Sequence, residues 1–157
     1  MSDLRKQVQI ARSVEQSRVV ERPGATGFDT FYASGSWVPT YAGSTTAGVT
    51  TYTSQFGTWW RIGSLIFYTV YVNWTAATGT GRARVSLPFT ASNVALQSWA
   101  VPVWINNVTF ANSAPEGIIS PNTAFIELYS PLTNAATAAV NIEAVGEILS
   151  SGFYSTG

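Results

Sequence analysis

Leu65-Ile66-Phe67-Tyr68-Thr69-Val70-Tyr71-Val72-Asn73-Trp74 is the most apolar window of the chain, and its alternation decides the fold. β-Branched and aromatic residues fill it, the types that suit an extended, pleated backbone. At a period of two, Ile66, Tyr68, Val70, Val72 and Trp74 fall on one face, and Leu65, Phe67, Thr69, Tyr71 and Asn73 on the other. The first set is a core face. The second is also largely apolar, which an antiparallel strand with one wet face does not need, so something is expected to cover it. Thr69 and Asn73 interrupt the run, and its length is about half of the ~20 residues a membrane-spanning helix needs.

Outward from this strand the pattern repeats. Turn signals recur at Gly35-Ser36, Ala42-Gly43-Ser44, Ala47-Gly48, Gly63-Ser64, Gly79-Thr80-Gly81, Asn106-Asn107, Pro121-Asn122 and Ser130-Pro131. Between them strands are expected near 36–41, 49–55, 58–62, 64–74, 82–87, 95–105, 108–111, 117–120, 124–130 and 138–149. In 99–105, Trp99, Val101, Val103 and Ile105 share a face opposite Pro102 and Trp104. Pro102 lacks an amide proton, which restricts that strand to an edge or a bulge. In 138–148, Ala138, Val140, Ile142, Ala144 and Ile148 oppose Asn141, Glu143 and Glu147. Many short strands, with no helical period after residue 30, give an all-β chain: an antiparallel β-sandwich or jelly roll.

Composition sets the boundaries. The 157 residues suit one domain, and 46% hydrophobic content supports a sizeable core. Charged residues make up only 10%, against about 25% in an ordinary soluble domain. Eight basic residues balance eight acidic ones, yet nine of these sixteen precede residue 30. That break divides the chain into an N-terminal arm, 1–30, and a body, 31–157. In the arm Ser2 is a plausible N-cap with Asp3 in the first turn. Leu4, Val8 and Ala11 share one helical face, and Ile10 and Val14 another. Arg12–Glu15, Glu15–Arg18 and Arg18–Glu21 are spaced to pair, and Pro23-Gly24 ends the segment. A helix of that length is marginal alone in water. The arm is therefore either a frayed terminus or an anchor. As an anchor, Leu4, Val8, Ile10 and Val14 supply apolar contact and Arg5, Lys6, Arg12, Arg18 and Arg22 supply charge.

The chain has no Cys, no His and a single Lys. Zinc and iron–sulfur sites built on Cys or His are excluded. So are Ser-His-Asp and Cys-His catalysis and any disulfide; the lack of Cys fits a reducing compartment. No basic patch suggests nucleic acid, and Met1 to Ser17 is too polar for a signal peptide, so a soluble protein is expected. Glycoside hydrolysis wants two carboxylates about 5 to 9.5 Å apart. Glu143 and Glu147, four residues apart on a strand, would be about 13 Å apart. Glu116 falls in a turn, and Glu127 shares a face with Phe125 and Tyr129. The expectation is no enzyme, no cofactor and no metal. Sparse charge together with a strand apolar on both faces points to an obligate homo-oligomer. Trp59, Trp60, Phe67, Tyr71 and Trp104 are the candidates for that interface or for stacking on a sugar ring.

The runs Gly35-Ser36-Trp37-Val38-Pro39-Thr40 and Ser44-Thr45-Thr46-Ala47-Gly48 are followed by Tyr52-Thr53, by Gly57-Thr58-Trp59-Trp60-Arg61-Ile62-Gly63 and by Leu87-Pro88-Phe89-Thr90. Over about residues 35–90 this resembles a module of tailed-phage fibres and tailspikes, with the pattern W-x-P-x, then G-x-Y-x-[RK]-I-G, then L-P-F. Trp59 stands where the family usually has Tyr. The resemblance implies a β-sandwich that trimerises on a virion surface, often at the host-facing tip. No coiled coil, collagen-like repeat or β-helix repeat is present to form a shaft. The resulting expectation is a homotrimeric capsid cement (decoration) protein, made in the bacterial cytoplasm and held on the outer shell by its arm against the major capsid protein. A short tail fibre or receptor-binding protein recognising host glycan is the alternative, and a free carbohydrate-binding module the third.

Overall fold

The computed structural model describes residues 31–110, 114–131 and 135–157. The expected arm, with Leu4, Arg5, Lys6, Val8, Ile10, Arg12, Val14, Arg18 and Arg22, lies outside the described residues.

The strands are β1 (Tyr32–Trp37), β2 (Tyr41–Gly43), β3 (Thr50–Ile62), β4 (Leu65–Ala77), β5 (Ala83–Ser86), β6 (Trp99–Asn106), β7 (Glu116–Ile119), β8 (Phe125–Ser130), β9 (Ala138–Ala139) and β10 (Gly146–Ser155). All pairings are antiparallel. They run in the order β1-β3-β4-β10-β6-β7-β8-β5-β2, with β9 beside β8. This continuous sheet folds over at β6 into two layers. Residues Trp99–Pro102 of β6 pair with β7, and Val103–Asn106 pair with β10. A strand that passes from one sheet to the other makes the corner of a sandwich. We call the layer β1-β3-β4-β10 sheet A and the layer β7-β8-β5-β2 sheet B. The all-β sandwich expected from the alternation is the fold observed.

The long β3–β4 hairpin organises sheet A. Gly63 carries a positive φ of 60° at the first of its two turn residues, the position that asks for glycine in a tight hairpin. Ile66, Tyr68, Val70, Val72 and Trp74 of β4 are all buried, as are Ile148 and Tyr154 of β10. Tyr41, Val85, Ile119, Ile126 and Leu128 meet them from sheet B. The Tyr41 and Trp74 rings stack across the layers with centroids 3.9 Å apart. Both polar ends are satisfied at Glu143, whose carbonyl accepts Trp74 Nε1–H at 2.9 Å and whose amide donates to Tyr41 Oη at 3.0 Å.

Several boundaries differ from expectation. The segments 49–55 and 58–62 are one strand, β3, because Phe56-Gly57 continues the pleat rather than breaking it. Residues 36–41 divide between β1 and β2. The strand expected from 95 starts at Trp99, since Leu96 takes a positive φ of 65° in a turn. Val108–Phe110 form no strand. The expected strand 138–149 is two elements, β9 and β10, joined by a loop in which Ala144 is exposed. Pro102 lies on neither an edge nor a bulge: it is the last residue of β6 paired to β7, at the point where the strand changes sheets.

Candidate functional site

Residues directly opposite one another in an antiparallel pair point to the same face. On the outward face of sheet A the register therefore draws rows across the strands. One row is Ser34, Trp60, Phe67 and Phe153. The next is Ser36, Thr58, Thr69 and Ser151. The third is Phe56, Tyr71, Leu149 and Trp104, and the fourth Ser54, Asn73, Glu147 and Asn106. Two apolar bands thus flank a band of hydroxyls, and an amide and carboxylate band closes the face.

The apolar bands are open to solvent. Trp60, Phe67, Phe153, Phe56, Leu149 and Trp104 are between 38% and 59% exposed. Phe67 and Phe153 lie with ring centroids 6.1 Å apart, and the Thr58 and Thr69 hydroxyls bond at 2.7 Å in the row between. Tyr71 donates its hydroxyl to Glu147 Oε1 at 2.7 Å, and Asn106 Nδ2 reaches Glu147 Oε2 at 3.5 Å. The Glu147 hydrogen bond holds the Tyr71 phenol above its ordinary pKa. Strand and residue spacings make the face about 24 Å by 27 Å, or roughly 600 Å². About half of it, the two rows on either side of the hydroxyl band, is apolar, on the scale of the largest exposed patch of a typical monomer.

Of the five aromatics singled out in the sequence, the structure brings Trp60, Phe67, Tyr71 and Trp104 together here. Trp59 is a correction. It turns inward, packs edge-on to Phe89 at 4.8 Å, and covers Gly35 on β1. Phe56, Leu149 and Phe153 belong to the face and were missed. Phe56 fell in an expected gap between strands, and Phe153 lay beyond the expected end of the last one. Their signal was alternation that continues through Gly57 and Gly152.

Sheet B carries its polar chemistry inside one cluster. Glu127, 7% exposed, accepts from Arg82 Nη1 at 2.7 Å, Arg84 Nε at 2.8 Å and Tyr129 Oη at 2.9 Å. Arg82 lies over the Tyr129 ring and Arg84 over the Phe125 ring, each at 4.1 Å. Burial pushes the Glu127 carboxyl up, but the bonds from Arg84, Tyr129 and Arg82 outweigh it and hold the group below its ordinary value. Glu127, on the face it shares with Phe125 and Tyr129, is thus an internal tie between β5 and β8. Glu143 sits in the loop before β10 rather than on a strand with Glu147. Among the described residues no group of three or more acidic, His or Cys side chains gathers as a metal site, and no helix is long and apolar enough to cross a membrane.

Fold and face together define a β-sandwich module with an exposed aromatic face on sheet A. No family model matches the chain, and no curated protein matches it. Among solved structures it is similar to the Dettilon tailspike protein (gp208), with a TM-score of 0.62 and 18% identity over 79% of this chain. The chain spans 24% of that tailspike. The likeness is one of fold: the sandwich is of a kind that a tailspike contains.

Proposed function

We propose that the chain is a structural module of a phage virion surface, a homotrimer assembled through the outer face of sheet A and serving host attachment as part of a tailspike-like structure. The observation that carries this reading is the pair of exposed apolar bands in register across β3, β4, β10 and β6. Burying this face about a threefold axis removes roughly 600 Å² per subunit from water, the lower bound of a specific protein–protein interface counted per partner. The tailspike likeness supports a virion setting. This role needs no catalytic group, cofactor or metal.

A second reading, the capsid cement protein, is favoured by the concentration of nine of sixteen charges before residue 30, which suits an arm clamped to the major capsid protein of the outer shell. Quantitative mass spectrometry of purified virions separates the two. A copy number far below the major capsid protein supports the tail. Equal abundance supports the shell, and absence from virions refutes both.

A further inference from the structure

The two halves of the sequence motif, Arg61-Ile62-Gly63 and Leu87-Pro88-Phe89-Thr90, meet in space. Arg61, Phe89, Thr90, Asn93 and Asn122 line an open cleft of about 420 Å³ at one end of the sandwich, within the size range of small-ligand sites.

The cleft wall is fixed by bonds that do not use the cleft's own side chains. Tyr154 Oη donates to Phe89 O at 2.9 Å, Ala91 N to Thr123 O at 2.8 Å, and Ser92 N to Ser155 O at 2.8 Å. Trp59 backs the Phe89 ring. Arg61 Nε donates to Gly63 O at 2.6 Å, which orients the guanidinium and, among the described residues, leaves its two terminal nitrogens unused. The side chains of Asn93, Asn122 and Thr90 have no hydrogen-bond partner among the described residues.

Charge narrows the ligand. The described cations are Arg61, Arg82 and Arg84, and Glu127 neutralises the latter two. Among the described residues Arg61 has no carboxylate in ion-pair range, and the cleft, which Thr156 and Gly157 also line, has no acidic side chain in its wall. Among the described residues the cleft therefore presents one guanidinium outside any ion pair, neutral amides and a hydroxyl, and an aromatic ring. These complement a ring that bears hydroxyls, an apolar face and a carboxylate.

We propose that this cleft binds an acidic sugar, a hexuronate unit of a surface polysaccharide. Its carboxylate pairs with Arg61 through charge-assisted bonds, its hydroxyls meet Asn93, Asn122 and Thr90, and its ring lies on Phe89. The inference rests on the attachment reading above but not on self-association through sheet A.

The test is a calorimetric and NMR titration of the full chain with trigalacturonate and with a hyaluronan tetrasaccharide. At least one should bind saturably and shift the Asn93 and Asn122 side-chain amides. Arg61→Gln should weaken binding by roughly tenfold, as loss of a charged hydrogen bond does, at unchanged melting temperature. Methyl-esterified trigalacturonate should lose as much where trigalacturonate is the ligand. Should Arg61→Gln melt early, Asn93→Ala and Thr90→Val must each weaken binding instead. Trp104→Ser should bind as the parent does, so that a failure of the association reading leaves this result intact. No saturable binding of either probe at millimolar concentration, or equal binding by the variants, overturns the proposal.

Discussion

Trp37 and Trp59 are held by a reciprocal arrangement with two glycines. Gly35 faces Trp59 across the β1–β3 pair, and Trp37 faces Gly57. A Cβ on Gly57 would meet the Trp37 ring at 2.5 Å, and one on Gly35 the Trp59 ring at 2.8 Å. Gly57→Ala should therefore cost about 1–3 kcal/mol, the usual penalty for overpacking, read as a lower urea midpoint at unchanged slope. The adjacency of Trp59 and Trp60 already dictated that one points in and one out. It did not dictate which, because both faces of β3 carry aromatics. The Gly35–Trp59 pairing that decides it is a register, and register is not written in local composition.

Glu127 makes a different prediction at this scale. Its carboxyl lies below its ordinary value of 4.5 in the folded protein. Its stabilisation is therefore complete above the unfolded value and is lost as pH falls through the lower folded one. Glu127→Gln should destabilise by roughly 1–3 kcal/mol at neutral pH, since it leaves two arginines short of an acceptor. The difference in melting temperature between parent and variant should shrink as pH drops below about 4.

At the scale of elements, β10 is the test of the two faces. Ile148 is 1% exposed and Leu149 is 48% exposed. Ile148→Ala should cost about 2–5 kcal/mol as a core cavity, whereas Leu149→Ser should stay within about 0.5 kcal/mol in the separated subunit. Equal losses at the two positions would refute the face assignment, and denaturant titration decides. Sequence placed this strand too early. The apolar alternation from Ala138 to Ile148 suits a strand, yet Val140 and Ile142 are taken up by bonds to Leu128, Ala83 and Gly81, which are tertiary partners no local pattern reveals. β4, by contrast, was legible from Leu65 to Trp74, because its inward residues there are all large and apolar; its end, 75–77, was not. Pro102 was misplaced for a related reason. Its missing donor was evident, but a strand can meet that need by changing sheets as well as by lying on an edge. Ser150 Oγ donates to the Pro102 carbonyl at 2.8 Å at that corner, and Ser150→Ala should weaken the sandwich by about 1 kcal/mol.

For the whole molecule the proposed association through the outer face of sheet A predicts the behaviour in solution. Light scattering after size exclusion should give three times the 16.8 kDa chain mass. Trp104→Asp combined with Phe153→Asp should yield a folded single chain, because both side chains project to solvent. A wild-type monomer would sink the association reading. The apolar nature of this face was legible from β4 alone. Its extent was not, since Leu149, Phe153 and Trp104 join it only through pairings between strands distant in sequence.

β10 is the last strand in chain order but lies between β4 and β6. During synthesis β4 therefore has one flank bare until β10 has emerged. Leu149 and Phe153 arrive on that same strand, so the aromatic face is finished only when sheet A closes. A chain stopped before β10 lacks the strand that joins β4 to β6 and, with Leu149 and Phe153, two of the six exposed apolar side chains of the face.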